Sequence, residues 1–262
     1  MNDDRLADRH IVVTGAAQGI GRGIATRTAR AGANVSVFDL DLEKAQETAD
    51  LVREIGGDAT AIEVDVADQT AVADGIETAI DELGPIHGLV NNAGVQNAIP
   101  ILETTEEQWD FHLDVNAKGT FFCAKAVGAH MVEEDVEGAI VNVASTAAER
   151  AFPGQGAYAA SKSAVGGFTK VLSKELGDHG ITVNAINPGT VDTPMVQQWL
   201  EEHAAESGQS EDDILADALS AHTIERIGKP EEIGHMATLL LSDEGSWITG
   251  QAINVDAGYT NE

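Results

Sequence analysis

Cysteine is almost absent: Cys123 is the only one in 262 residues. One thiol excludes an internal disulfide and any cysteine-based zinc cluster. Long apolar runs are also missing, and none approaches the roughly 20 residues that a membrane-crossing helix needs. The opening MNDDRLADRH is charged and carries no apolar secretion segment. These absences lead us to expect a cytoplasmic protein without a membrane. Basic residues are scarce, with 15 Lys and Arg against 44 Asp and Glu and a formal net charge of −29. So acidic a chain repels nucleic acid and anionic membranes, and neither is expected as a partner. The eight histidines include no H-E-x-x-H or paired arrangement, so no metal site is expected. No linker or low-complexity segment interrupts the chain.

What is plentiful is dispersed acid. High net charge often marks disorder, but here the carboxylates are spread along periodic helical segments, and hydrophobic residues make up 43% of the chain. That is enough for a substantial core. Dispersed acid with few lysines resembles the composition of proteins from salt-accumulating halophiles. Molar salt would screen such self-repulsion, since the Debye length there is about 3 Å.

Apolar, β-rich runs alternate with amphipathic ones. Strands are expected at 10–15, 34–40, 59–66, 86–94, 138–145, 181–189 and 251–258, with helices at 19–32, 41–57, 68–84 and 229–244. A long helical region fills the interval before 138. Strands alternating with helices indicate a doubly wound α/β fold, with about seven parallel strands and helices on both faces. Residues 194–226 break the rhythm with a polar, acidic, helical stretch. The expectation is one domain over 1–262: a dinucleotide-binding part at roughly 8–190 and a helical insertion at roughly 193–226 covering the active site.

The run TGAAQGIG, Thr14 to Gly21, follows a strand and opens a helix. Gly15 permits a tight turn, Gly19 the close approach of phosphate, and Gly21 the packing of helix on strand. The amides at the helix start then face a pyrophosphate. Asp39 ends the second strand, 24 residues after Gly15. A carboxylate there accepts hydrogen bonds from an adenosine ribose and repels a 2′-phosphate, so NAD is expected over NADP. Its other reading is a helix N-cap.

With this loop, the NNAG at 91–94 and the Tyr158-x-x-x-Lys162 pair, the chain resembles the classical short-chain dehydrogenase/reductase family over essentially its whole length. The resemblance implies a Rossmann-like fold, a nicotinamide cofactor and alcohol/carbonyl interconversion. It implies that Asn116, Ser145, Tyr158 and Lys162 are catalytic. Cofactor contacts are implied at Gly15, Gln18, Gly19, Ile20, Gly21, Asp39, Asp65, Val66, Asn91, Ala93, Gly94, Pro188, Gly189, Val191 and Thr193, with Tyr158 and Lys162 sharing in them. It also implies a homotetramer, paired through the helices at 106–131 and 156–178 and through the C-terminal strand region.

The chemistry of the pair is a general acid/base. A free phenol has a pKa near 10, and a cation one helical turn away favours the phenolate. Lys162 is expected to supply that cation, Ser145 to orient the substrate oxygen, and Asn116 to hold a relay water. Taken singly, Ser145 could cap a helix and Asn116 could occupy a helix kink. Substrate contacts are expected from Ser145, Tyr158, Gln96, Ala147 and Gln155, with Thr146, Met195 and Trp199 as further walls. The two amides suggest a hydroxylated substrate: a sugar, sugar acid or polyol. A 3-oxoacyl-carrier-protein reductase is the alternative, and a catalytically inactive nucleotide-binding regulator is a third reading.

Overall fold

A computed structural model describes residues 4–261. The chain forms β1 (His10–Thr14), α1 (Gly19–Ala29), β2 (Asn34–Asp39), α2 (Leu42–Ile55), β3 (Ala59–Glu63), α3 (Gln69–Leu83) and β4 (Gly88–Asn91). It continues through α4 (Glu106–His112), a π-helical turn (Leu113–Lys118), α5 (Gly119–Glu133), β5 (Ala139–Val143), α6 (Gly156–Leu176) and β6 (Thr182–Pro188). The last elements are α7 (Pro194–Ser207), α8 (Glu211–Leu219), α9 (Pro230–Leu241) and β7 (Ala252–Val255). The seven strands make one parallel sheet in the order β3-β2-β1-β4-β5-β6-β7. This is the expected doubly wound α/β architecture.

Alternation along the strands builds two cores, one on each face. Val13, Val35 and Val37 pack with Ile24, Val52 and Ile233 of α1, α2 and α9. Val12, Leu89 and Ile140 pack on the other face with Ile76, Val127 and Met131 of α3 and α5. The helices are amphipathic to match: Val72, Ile76 and Ala79 of α3 are buried while Asp74, Glu77 and Asp81 face water. Strands β1 and β5 are buried throughout, as two-sided cover requires, whereas β7 at the sheet edge alternates exposed and half-buried residues.

Several elements are shorter than the sequence suggested. β3 stops at Glu63, and its continuation Val64–Val66 turns towards the carboxyl end of the sheet, where the Asp65 carboxylate accepts the Ala67 amide at 2.9 Å. β7 stops at Val255 because the Asp256 carboxylate takes over the following turn, accepting from the amides of Gly258 and Thr260 and from the Thr260 hydroxyl. The 194–226 stretch is two helices, broken at Gly208 with φ +72°. After Leu219 the chain is no longer helical, and it returns to bridge Val191 through Gly228.

Candidate active site

All the strands point their carboxyl ends to one edge of the sheet, and the order reverses between β1 and β4. Open α/β sheets bind ligands at such a switch point. A cleft of about 760 Å³ lies there, within the ~300–1,000 Å³ usual for small-molecule sites.

One end of the cleft is the glycine turn. Gly15 has φ +62°, and a Cβ added to it would stand 2.7 Å from Ala93 Cα. A Cβ on Gly21 would meet the Gly15 carbonyl oxygen at 2.1 Å. These contacts admit glycine alone and keep β1, α1 and the strand β4 exit in close approach. Asn92 locks the arrangement: its Nδ2 donates to the carbonyls of Thr14 and Gly15 at 3.0 and 2.9 Å. The Thr14 hydroxyl in turn accepts from the amides of Asn92 and Ala93. Helix α1 has neither a side-chain cap nor an acid in its first turn, so its amides remain available to an anion. Asp39 is not the cap of α2; Asp41 is, accepting from the Lys44 amide. Asp39 instead accepts from the Ala17 amide at 2.9 Å and the Asp41 amide at 3.1 Å, which holds its carboxylate against the loop and beside the cleft. This cradle fits the phosphates and ribose of a dinucleotide.

The middle of the cleft carries Ser145, Tyr158 and Lys162. Ser145 follows β5 and its hydroxyl accepts the Ala147 amide at 3.1 Å, so it both caps a short 3-10 turn and faces the cleft. Tyr158 and Lys162 occupy successive turns of α6 and are buried. The Lys162 ammonium donates to the Val143 carbonyl at 2.8 Å and lies 5.8 Å from the Tyr158 ring centre. Burial pushes the Tyr158 phenol above its usual pKa, against the opposing pull of a hydrogen bond with Ser145. Burial brings Lys162 down to about 8. The expected lowering of the phenol by Lys162 is therefore not met in the protein alone: loss of hydration outweighs the other influences.

Asn116 lies in the π-helical turn and is fully buried behind the cleft. Its Oδ1 accepts the Val95 amide at 2.8 Å, and its Nδ2 donates to the Val95 carbonyl and the Ser161 hydroxyl. Ser161 donates onward to the Tyr158 carbonyl at 2.7 Å. Asn116 thus occupies a helix irregularity and ties α6 to the segment after β4, and the long helix expected over 106–131 is divided at this point.

Most residues expected at the site share the cleft wall. Gly15, Gln18, Gly19, Ile20, Asp39, Asp65, Val66, Ala93, Gly94, Pro188, Gly189, Val191 and Thr193 line it, as do the candidate substrate residues Gln96, Ala147 and Gln155. The bridge between Val191 and Gly228 uses the Thr190 carbonyl and the Asp192 amide, leaving the backbone groups of Val191 on the side away from Gly228. The Thr193 hydroxyl accepts the Val196 amide and so caps α7. Three residues are not on the wall: Gly21 and Asn116, described above, and Asn91. The Asn91 amide is buried beneath the site and donates to Asn142 Oδ1 at 2.9 Å. Its neighbour Asn92, half-buried, lines the cleft instead. Sequence reasoning missed Tyr259, Phe152 and Phe111, which line the substrate end. Tyr259 had one available signal, since it and Tyr158 are the two tyrosines of the chain.

The fold and the cleft define an open α/β protein with a dinucleotide cradle beside a buried Ser, Tyr and Lys. A family profile described as enoyl-(acyl carrier protein) reductase matches residues 15–260. The short-chain reductase NovJ of Streptomyces niveus is 41% identical over 247 residues, covering 94% of this chain and 92% of that protein. The 3-oxoacyl-[acyl-carrier-protein] reductase FabG of Thermotoga maritima is 36% identical, with 97% and 98% covered. A crystal structure from Sinorhizobium meliloti 1021, assigned as a short-chain alcohol dehydrogenase, superposes with TM-score 0.91 at 38% identity and covers 98% of both chains. The chain belongs to the short-chain dehydrogenase/reductase family, whose members are oxidoreductases that use nicotinamide cofactors.

Proposed function

We propose that the protein is an NAD-dependent oxidoreductase that transfers hydride between a secondary alcohol and the nicotinamide, with Tyr158 as general acid/base. The observation that carries this reading is the sharing of one cleft wall: Ser145, Tyr158 and Lys162 line the same cleft as the glycine turn and Asp39. The bound nicotinamide would accept or give the hydride. Tyr158 exchanges the hydroxyl proton with the substrate oxygen. Ser145 hydrogen-bonds the same oxygen and steadies the charge that develops there. Lys162 would donate to the ribose of a bound cofactor and keeps a cation near the phenol. Asn116 holds the backbone that positions them.

The Asp39 carboxylate supports NAD over NADP. Among the described residues lining the cleft, Lys162 is the one Lys or Arg, and it stands at the reacting end. Lys44, the cation nearest Asp39 in sequence, is engaged by Asp41, and Arg22 is engaged by Glu47. The same features weigh against a 3-oxoacyl-carrier-protein reductase, which needs a basic surface for an acidic carrier; the likeness to FabG keeps that activity as the alternative. An inactive regulatory role is disfavoured by the complete Ser–Tyr–Lys set. Gln96 and Gln155 on the wall support a substrate with a second polar group, the basis for a sugar, sugar acid or polyol. We read the chain as one domain, cytoplasmic and homotetrameric. Exposed Trp109, Phe121 and Val171 on α4, α5 and α6 support the pairing of those helices.

NADH formation against a panel of secondary alcohols, in molar salt, tests the proposal. Steady NADH production with at least one alcohol is expected. No production with any alcohol, together with activity on a 3-oxoacyl thioester and NADPH, would replace it with the reductase alternative.

A further inference from the structure

We infer that the cleft beyond Tyr158 ends in an aromatic subsite, formed by Phe152 and Tyr259, that selects alcohols and ketones bearing a flat unsaturated ring beside the reacting carbon. This rests on the oxidoreductase reading and replaces the sugar, sugar acid or polyol proposed above with an aryl-substituted alcohol or ketone as its substrate class. Phe152 precedes α6 and Tyr259 follows β7, so residues far apart in sequence are brought to one wall. Their rings lie 17° from parallel, with centroids 5.9 Å apart.

The Tyr259 ring is held before any ligand arrives. His222 stacks on it with centroids 4.5 Å apart, and the Arg150 guanidinium stands 4.3 Å from its centre. Arg150 also donates to the Tyr259 carbonyl at 2.6 Å. The turn beneath is fixed by the three hydrogen bonds that the Asp256 carboxylate accepts. His222 is buried, and neither of its ring nitrogens has a hydrogen-bond partner among the described residues. Burial without such partners costs free energy, so what His222 contributes here is its flat face against Tyr259.

A wall fixed in this way gives up little freedom on binding. Aromatic rings gain from offset or edge-on contact with one another beyond the area they bury. A saturated ring of the same size gains only the burial. A polyol would set its hydroxyls against Phe152 and Tyr259 and lose their hydration. Gln155, between Phe152 and Tyr158 in the chain, remains available for one polar substituent.

The test compares acetophenone with cyclohexyl methyl ketone, which carry the same carbonyl on a flat and a puckered ring. Binding to the NADH complex is measured by calorimetry, and reduction by NADH absorbance. Wild type should favour acetophenone by about three- to tenfold. Tyr259→Leu and Phe152→Leu should each shrink that ratio towards one while NADH affinity stays unchanged, and Tyr259→Phe should keep the ratio. Equal binding of the two ketones in wild type overturns the subsite, as does a ratio that survives in both leucine variants. If no alcohol of the panel is oxidised and neither ketone is reduced, yet acetophenone binds more tightly and Tyr259→Leu removes the difference, the hydride-transfer proposal fails and the subsite stands.

Discussion

Tyr158 is a buried phenol with a raised pKa, a condition that favours giving a proton and opposes taking one. Alcohol oxidation needs the phenolate, so its rate should climb from neutral into alkaline pH, while carbonyl reduction should favour the acid side. Tyr158→Phe should lower turnover about 10²–10⁴-fold, the usual cost of losing a general acid/base. NADH binding, read by fluorescence titration, should persist; turnover within a few-fold of wild type would remove Tyr158 from the chemistry. Asp39 makes a separate prediction. Its carboxylate lines the cleft beside the glycine turn, and on the proposed reading it repels a 2′-phosphate, so kcat/KM should favour NAD, and Asp39→Ala should narrow the preference. Faster wild-type turnover with NADP would count against the assignment. The motif residues were legible because each is tied to a loop or a helical turn. Tyr259 was not, because its place depends on a turn set by Asp256 and on a stack with His222, neither of which has a local pattern.

The strands and helices were readable from alternation and periodicity because burial on both sheet faces imposes both. What the sequence hid at this scale were interruptions set by single residues. Asn116, bonded to Val95 and Ser161, marks the π-helical turn between α4 and α5. Gly208 divides the insertion into α7 and α8. A further interaction ties β1 to β2 and to the end of α3. His10 at the start of β1 is buried, its Nε2 2.8 Å from the Ser36 hydroxyl and its Nδ1 2.8 Å from the Gly84 carbonyl. Burial lowers its pKa from 6.5 to about 4. The unfolded chain therefore binds a proton that the folded chain refuses between those values, so stability is full above about pH 6.5 and falls as pH drops towards 4. A shift of this size corresponds to a loss on the order of 3 kcal/mol. His87, also lowered chiefly by burial, acts in the same direction. Urea melts across this range should show a steeper acid loss for wild type than for His10→Gln; identical slopes would take His10 out of the account.

At the scale of the whole molecule the dominant quantity is the charge of −29. The Debye length is about 30 Å at 0.01 M salt and about 10 Å at 0.1 M, so dilute buffer leaves repulsion acting across the chain and between copies of it. We expect the melting temperature to rise, and the assembly to persist, as KCl goes from about 0.1 to about 3 M, where the Debye length falls below about 3 Å. Light scattering at high salt should give a tetramer mass. A flat melting profile would defeat the halophile reading, and a monomer mass would defeat the tetramer; neither touches the chemistry.

The sheet order has a consequence in time. β1, β2 and β3 lie on one side of the seam between β1 and β4, and β4 to β7 lie on the other. Gly15 and Asp39 belong to the first half; Ser145, Tyr158 and Lys162 belong to the second. Asn92 stitches the two together through Thr14 and Gly15. A refolding chain therefore offers the cofactor no complete pocket until both halves have docked. The cofactor comes too late to hasten folding, and its stabilisation is felt as slower unfolding.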